Sequence, residues 1–361
     1  MPRSTADDGG ALHTIISASA ADVVLQRDSF VAHPRVSLCL HSLAGVVPAI
    51  AELAALPELS RVTELRLSGQ APSWRNLSPP AEALGILASA PALSGVRRLV
   101  LETNVVDDRG AQALAAAPWL ATVEEILIVD NPGLRGDGLA ALASGLTSVK
   151  SMYIARSPIA PGGARAIAAM TAPVRELHLD CCGIGADGAR ALFDSHGLAG
   201  IRRLRIVGDL LKDALDRLAI RPFTALAELE LPRCSISTRG GVELAAGVTH
   251  RALTFVDLSG NLLGDDAALA FAASRSLPAL AKLDLRDNDI GEAGAAALGA
   301  EDTLAALTLL GLTGNALKTG VTREHTWEGG MWEAGGVVVE EKLDAEQIQE
   351  RFVKRASLRV F

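Results

Sequence analysis

Hydrophobic positions along this chain fall in a spacing that keeps returning. Val62, Leu65 and Leu67 of VTELRLSGQ reappear as Val96, Leu99 and Leu101 of VRRLVLETN, as Val123, Ile126 and Ile128 of VEEILIVDN, and as Val149, Met152 and Ile154 of VKSMYIARS. The series continues through VRELHLDCC from Val174, IRRLRIVGD from Ile201, LAELELPRC from Leu226, LTFVDLSGN from Leu253, LAKLDLRDN from Leu280 and LTLLGLTGN from Leu307; a weaker copy, RVSLCLHSL, starts at Arg35. Successive starts lie 25 to 27 residues apart, apart from one step of 34 after Val62. Self-similarity at this period predicts stacked repeats rather than separate domains.

Each unit alternates like a short strand, so its positions 4 and 6 face the core and positions 3, 5 and 7 face outward. Many units continue as xxIGxxGAxAL, as in CGIGADGARAL, NDIGEAGAAAL from Asn288, NVVDDRGAQAL from Asn104 and CSISTRGGVEL from Cys234. That spacing predicts a short amphipathic helix in which glycine lets the helix and strand layers approach closely. The form LxxLxLxxN resembles the leucine-rich repeat, and its helical variety resembles the ribonuclease-inhibitor-like subfamily, over roughly residues 35–320. The resemblance implies an α/β solenoid, a curved horseshoe with parallel strands on the concave face and helices on the convex face. Residues 1–34, with ALHTIISASAADVVL, are expected to form an N-terminal cap of helix and turn; 35–320 carry about eleven repeats; 321–361 form a C-terminal cap or docking tail, with a strand at GGVVVEE and a helix from near Asp344. The 34-residue step holds a Pro-containing insertion with Trp74, and the tail holds Trp327 and Trp332.

Chemistry first suggests itself at His178, Asp180, Cys181 and Cys182, four metal ligands or catalytic groups in five positions. Alignment dissolves most of this cluster. Cys182 is the ninth position of its unit, which the other units fill with Gln70, Asn104, Asn131, Ser157, Asp209, Cys234, Asn261, Asn288 and Asn315. A small polar side chain there can satisfy backbone groups of neighbouring turns, and in the resembled family the position is commonly Asn or Cys. Asn104, Asn131, Cys182, Cys234, Asn261, Asn288 and Asn315 are therefore expected to form a structural ladder. Cys182 and Cys234, two strands and about 9.6 Å apart, should stay reduced. His178 and Asp180 alone make a two-ligand fragment beside Tyr153 and Arg205, poor company for a cation.

Same-numbered outward positions form columns across the sheet. Column 3 mostly alternates in sign and reads as structural pairing. Column 5 splits instead. Val100, Leu127 and Tyr153, widened by Val129 and Ala155, predict an exposed apolar patch, and Tyr153 is the chain's one tyrosine. His178 and Arg205 follow, and then Glu230, Asp257 and Asp284 place three carboxylates side by side, with Arg286 nearby. These nine residues, Val100, Leu127, Val129, Tyr153, His178, Arg205, Glu230, Asp257 and Asp284, are the expected partner face, for a protein or peptide with apolar and basic segments.

Composition narrows the classes. A net charge of −8 argues against nucleic acid or anionic membrane as general partners. No apolar run reaches the roughly 18 residues of a membrane span, and four cysteines in no framework spacing, behind an N-terminus unlike a secretory signal, predict a reducing cytoplasm. Phosphate-loop, zinc-protease and nucleophile-elbow motifs are missing, so neither enzyme nor cofactor is expected. The expected function is a non-enzymatic protein-binding scaffold. The resemblance also allows a regulator of an enzyme, an inhibitor or small-GTPase regulator, and an effector or enzyme using His178 and Asp180 is the remaining reading.

Overall fold

A computed structural model describes residues 3–6, 12–25, 35–41, 47–69, 81–220, 223–247, 250–300, 304–318, 323–325, 337–339 and 342–361. Gln70, Trp74, Trp327 and Trp332 lie outside these residues. The chain divides into two units, Met1–Leu210 and Leu211–Phe361.

In the first unit, β1 (Arg3–Ala6) pairs antiparallel with β2 (Leu12–Ala18). From β2 onward every pairing is parallel: β3 (Val36–His41), β4 (Val62–Ser68), β5 (Arg98–Glu102), β6 (Glu125–Val129), β7 (Ser151–Ala155), β8 (Glu176–Asp180) and β9 (Arg203–Val207). Among the described residues, the N-terminal segment expected as helix and turn is strand at Arg3–Ala6 and Leu12–Ala18 and helix at Ala20–Leu25. Its run Thr14, Ile15, Ile16 is β-branched, which favours a strand once a sheet edge is there to receive it.

Why the repeat folds this way is visible in its buried positions. Leu99 and Leu101, Ile126 and Ile128, Met152 and Ile154, and Leu177 and Leu179 are fully buried, as are the strand-entering Val96, Val123 and Val149. Each such side chain contributes about 1.5–3 kcal/mol of apolar burial, against the entropy of ordering it. Helices such as Asp108–Ala115, Gly136–Gly145 and Gly185–Phe193 cover the other side of the sheet and pack on their sequence neighbours. Strands need about 4.8 Å each and helices about 8–10 Å, so within each unit the strand layer takes the inner side of the bend.

The turn after most of the strands holds the eighth residue in the left-handed region. Thr103, Asp130, Arg156, Cys181 and Gly208 do so in the first unit, and Arg233, Gly260, Asp287 and Gly314 in the second, with φ between 46° and 76°. A non-glycine residue there costs about 1 kcal/mol. The strain swings the ninth side chain inward, where the ladder bonds described below offset it. Carboxylates hold the helix starts across repeats: Asp108 Oδ1 accepts the N–H groups of Arg135 (2.7 Å) and Gly138 (3.0 Å), and Asp265 Oδ1 those of Gly291 (2.7 Å) and Gly294 (3.0 Å). At Gly294 a Cβ would lie 2.6 Å from that carboxylate oxygen, which explains the repeat's second glycine.

The second unit has shorter strands, β10 (Glu228–Glu230), β11 (Phe255–Asp257), β12 (Lys282–Asp284) and β13 (Leu309–Gly311), parallel and in register. Beyond them β14 (Arg323–His325) and β15 (Val337–Val339) form a separate antiparallel pair. The chain then returns. A helix at Ala345–Phe352 starts on a capping box made by Asp344 and Gln347, and β16 (Arg359–Val360) adds a parallel strand beside β13.

Candidate functional site

In the first unit the fifth-position column is in register as Arg66, Val100, Leu127, Tyr153, His178 and Arg205 on β4 to β9. Leu127, Val129, Tyr153 and His178 are half-buried, and the Tyr153 and His178 rings meet edge to face, 6.0 Å apart and inclined at 66°. Val100, expected to be exposed, is only 1% exposed, and Ala155 is buried too. Arg66 is the in-register neighbour of Val100, and its guanidinium reaches Glu102, two residues along the same strand, at 3.2 Å, closing over the shorter valine. Ala155 is a methyl group between Val129 and Asp180. The apolar patch therefore shrinks to Leu127, Val129 and Tyr153.

Charges around this strip are matched in pairs. On the third-position side Arg98 meets Glu125 at 3.6 Å and Arg203 meets Glu176 at 3.4 Å. On the turn side Arg156 holds Asp130 through two bonds of 2.5 and 2.7 Å, which lowers the Asp130 carboxyl and raises the guanidinium. Such exposed pairs contribute little stability, about 0–1 kcal/mol each.

Beneath the strip runs the ladder. Asn131 Oδ1 accepts the Val105 and Val106 N–H groups at 2.9 and 3.0 Å while its Nδ2 donates to the Leu101 and Val129 carbonyls at 3.0 and 2.9 Å. Ser157 Oγ accepts from Asn131 N–H and donates to the Ala155 carbonyl. Cys182 is fully buried and its Sγ donates to the Ile154 carbonyl at 3.2 Å; burial pushes this thiol up to about 12, which makes it inert. Cys181, one residue earlier, is exposed. Asn104 does not join the ladder as expected. Thr103 and Asn104 are both left-handed (φ 57° each), so the turn closes one residue late and the Val105 and Val106 amides meet Asn131.

The second unit has its own ladder. Asn261 Oδ1 accepts from Cys234 and Ile236, and Asn315 Oδ1 from Asn288 and Ile290, all at 2.8–3.0 Å. Asn288 donates to the Leu258 and Arg286 carbonyls, and Cys234 Sγ to that of Pro232. Of the three carboxylates expected on this face, Glu230 and Asp257 are half-buried, but Asp284 is 2% exposed. It is clamped by the Arg286 guanidinium through contacts of 2.6, 2.9 and 3.0 Å and accepts the Arg286 backbone N–H at 3.1 Å. The neighbouring strand has Gly311 at this level, leaving Arg286 room to fold inward. Phe361 then lies against the same cations, with Arg286 Cζ 5.1 Å and Lys282 Nζ 5.0 Å from its ring centre; Lys282 Nζ also sits 4.4 Å from that of Phe255. Asp284 is thus an internal ion-pair partner rather than a contact residue.

Among the described residues no three His, Cys, Asp or Glu side chains converge to hold a metal ion, and all four cysteines are free. No described helix is long and apolar enough to cross a membrane.

The family model described as "Leucine Rich repeat" matches residues 172–193, 249–272 and 278–299. The chain carries leucine-rich repeats. Each of the two units is accordingly a leucine-rich-repeat solenoid of parallel strands backed by helices. Solved structures that resemble it include a chain of the Rad7 and Elc1 complex of yeast, at 14% identity and TM-score 0.48 over 95% of this chain and 86% of that one. An internalin of Listeria monocytogenes shares 16% identity at TM-score 0.45, over 78% and 74% of the two chains. A chain of the mouse RP105/MD-1 complex shares 15% identity at TM-score 0.42, over 79% and 51%. No curated protein sequence matches this chain.

Proposed function

We propose that the protein is a non-enzymatic binding scaffold of the cytoplasm, needing no cofactor, whose first unit takes a protein or peptide partner on its strand face. The observation that carries this reading is the strip of Leu127, Val129 and Tyr153, with His178 edge-on to the tyrosine, bordered by the ion pairs Arg98–Glu125, Arg203–Glu176 and Arg156–Asp130. A surface that spends its ionic groups on itself and leaves an aromatic and two aliphatic side chains outward suits an uncharged segment with an apolar anchor. The net charge of −8 supports a protein rather than a nucleic acid. The 25–27-residue period and one-helix repeats support placing it with the ribonuclease-inhibitor-like subfamily.

Proteins retained from a cell extract by the whole chain, lost with Leu127→Arg and then rebound as purified protein, would identify the partner. Its affinity should fall about thirtyfold or more with Tyr153→Ala, the size of a hot-spot loss, and change less than twofold between 50 and 300 mM salt. Partners that bind wild type and both variants equally would overturn the assignment of this face.

A further inference from the structure

On the strands of the first unit the outward carboxylates are matched with arginines, with one exception. Arg66 serves Glu64 at 3.3 Å and Glu102 at 3.2 Å, Arg98 serves Glu125, and Arg203 serves Glu176. Asp180, at position 7 of β8, forms no ion pair among the described residues; its carboxylate takes the thiol of Cys181, a weak and uncharged donor. Arg156 is within electrostatic reach of Asp180 but gives its two bonds to Asp130. The in-register neighbours of Asp180 are Ala155 on β7 and Val207 on β9, with Val129 beyond Ala155. A half-buried carboxylate between two apolar side chains loses hydration and gains no countercharge, so it does nothing for folding. Ala155 is fully buried and carries a single methyl group, so the surface is lowest directly beside the carboxylate, between Asp180 and Val129.

We infer that Asp180 receives one lysine or arginine of the partner, whose aliphatic stem lies over Ala155 against Val129 and Tyr153 and whose charged end reaches the carboxylate. This rests on the binding reading above and adds a single base at the β8 end of the uncharged segment that the strip holds. Shape and charge agree, because long basic side chains lay an apolar stem along apolar surface and carry their charge at the tip. Asp180 is the diagonal neighbour of Tyr153 across the β7–β8 pair, about 7–8 Å away, so the base sits at one fixed offset from the residue that contacts the tyrosine. Arg156 on one side and Arg205, in register with His178, on the other limit the site to one cation, since a second would meet a like charge. A single pair is compatible with the small salt dependence expected of this face, as a basic stretch is not.

A random peptide library displayed on phage, panned on the purified whole chain and in parallel on Asp180→Asn and Tyr153→Ala, tests this without knowledge of the natural partner. Clones from wild type should share an apolar residue and, at one offset from it, lysine or arginine; clones from Asp180→Asn should keep the first and lose the second, and clones from Tyr153→Ala should lose the apolar residue. A wild-type motif without a base, or the same base recovered on Asp180→Asn, overturns the inference and leaves the apolar strip standing. Clones indifferent to both substitutions, or no enrichment at all, overturn the strip as well. For one selected peptide, Asp180→Asn should weaken binding about fivefold, and less than about twofold for the analogue with methionine in place of the base. Equal losses for the two peptides, in a variant that melts as wild type does, would show that Asp180 acts through the fold and not through the base.

Discussion

The strand faces of the two units are made from one repeat and dispose of their polar groups in different ways. In residues 1–210 the charges pair on the surface, strand to strand, at 3.4–3.6 Å, and both partners of each pair are about 40% exposed. In residues 211–361 Asp284 is withdrawn from solvent into an Arg286 clamp, and the cations lean on Phe255 and Phe361. The first arrangement can be removed at little cost and leaves an apolar strip available. The second buries the carboxylate while Arg286 stays 42% exposed, so it is the acidic group, not the cation, that is withdrawn from a partner.

The largest effect should come from breaking the internal pair. Asp284→Ala removes a buried carboxylate and leaves the Arg286 backbone N–H it accepts without that partner, and urea unfolding should show a loss of about 1–3 kcal/mol. Tyr153→Ala, by contrast, should change folding stability by no more than about 1 kcal/mol while abolishing most partner affinity; a larger stability loss there than at Asp284 would invert the contrast. Phe361→Leu keeps the apolar volume and removes the ring from Lys282 and Arg286, for an expected loss of about 0.5–1 kcal/mol. Arg98→Gln, on the exposed pair, should cost under about 0.5 kcal/mol and less in high salt, which thermal melts at two ionic strengths would check.

His250 adds a test by pH. It is 2% exposed in the second unit, and burial lowers its pKa, the Leu218 backbone opposing. A histidine depressed on folding contributes fully above the unfolded value of about 6.5, and stability falls as pH drops from there through the folded value. His250→Gln should flatten the stability profile below about pH 6.5. A profile of unchanged slope would show that the proton is taken up elsewhere.

The architecture was legible in the sequence because translation along the chain is translation in space: one period places every strand, and alternation places Leu177 and Leu179 inside without further information. The ladder was legible for the same reason, including the exchange of Cys182 for asparagine. What escaped was whatever depends on two neighbours at once. Val100 reads as exposed in its column, yet between Arg66, which reaches Glu102, and Leu127 it is 1% exposed. Asp284 reads as one of three equal carboxylates, and nothing in β12 reveals that Gly311 leaves room for Arg286. Asn104 left the ladder through a single extra left-handed residue. The left-handed eighth position gave no compositional signal, since Thr, Asp, Arg, Cys and Gly all occupy it, though Gly208, Gly260 and Gly314 each lie against the side chain of the eighth residue one repeat earlier, Cys181, Arg233 and Asp287. At Gly260 a Cβ would lie 2.9 Å from Arg233 Cγ.

Asp107 and Asp108 are adjacent and serve different masters: the first accepts from Gly110 in its own helix, the second from Arg135 and Gly138 in the next repeat. Asp265 repeats the second habit toward Gly291 and Gly294. The stack therefore has a direction, like roof tiles that each overlap the one below. Damage to a carboxylate is felt not where it occurs but 26 to 30 residues further on, at the start of the following helix. At these two joints a copied or lost repeat would keep the bonds at its helix start only if the repeat before it carried the aspartate, so there the order of the units matters as well as their number.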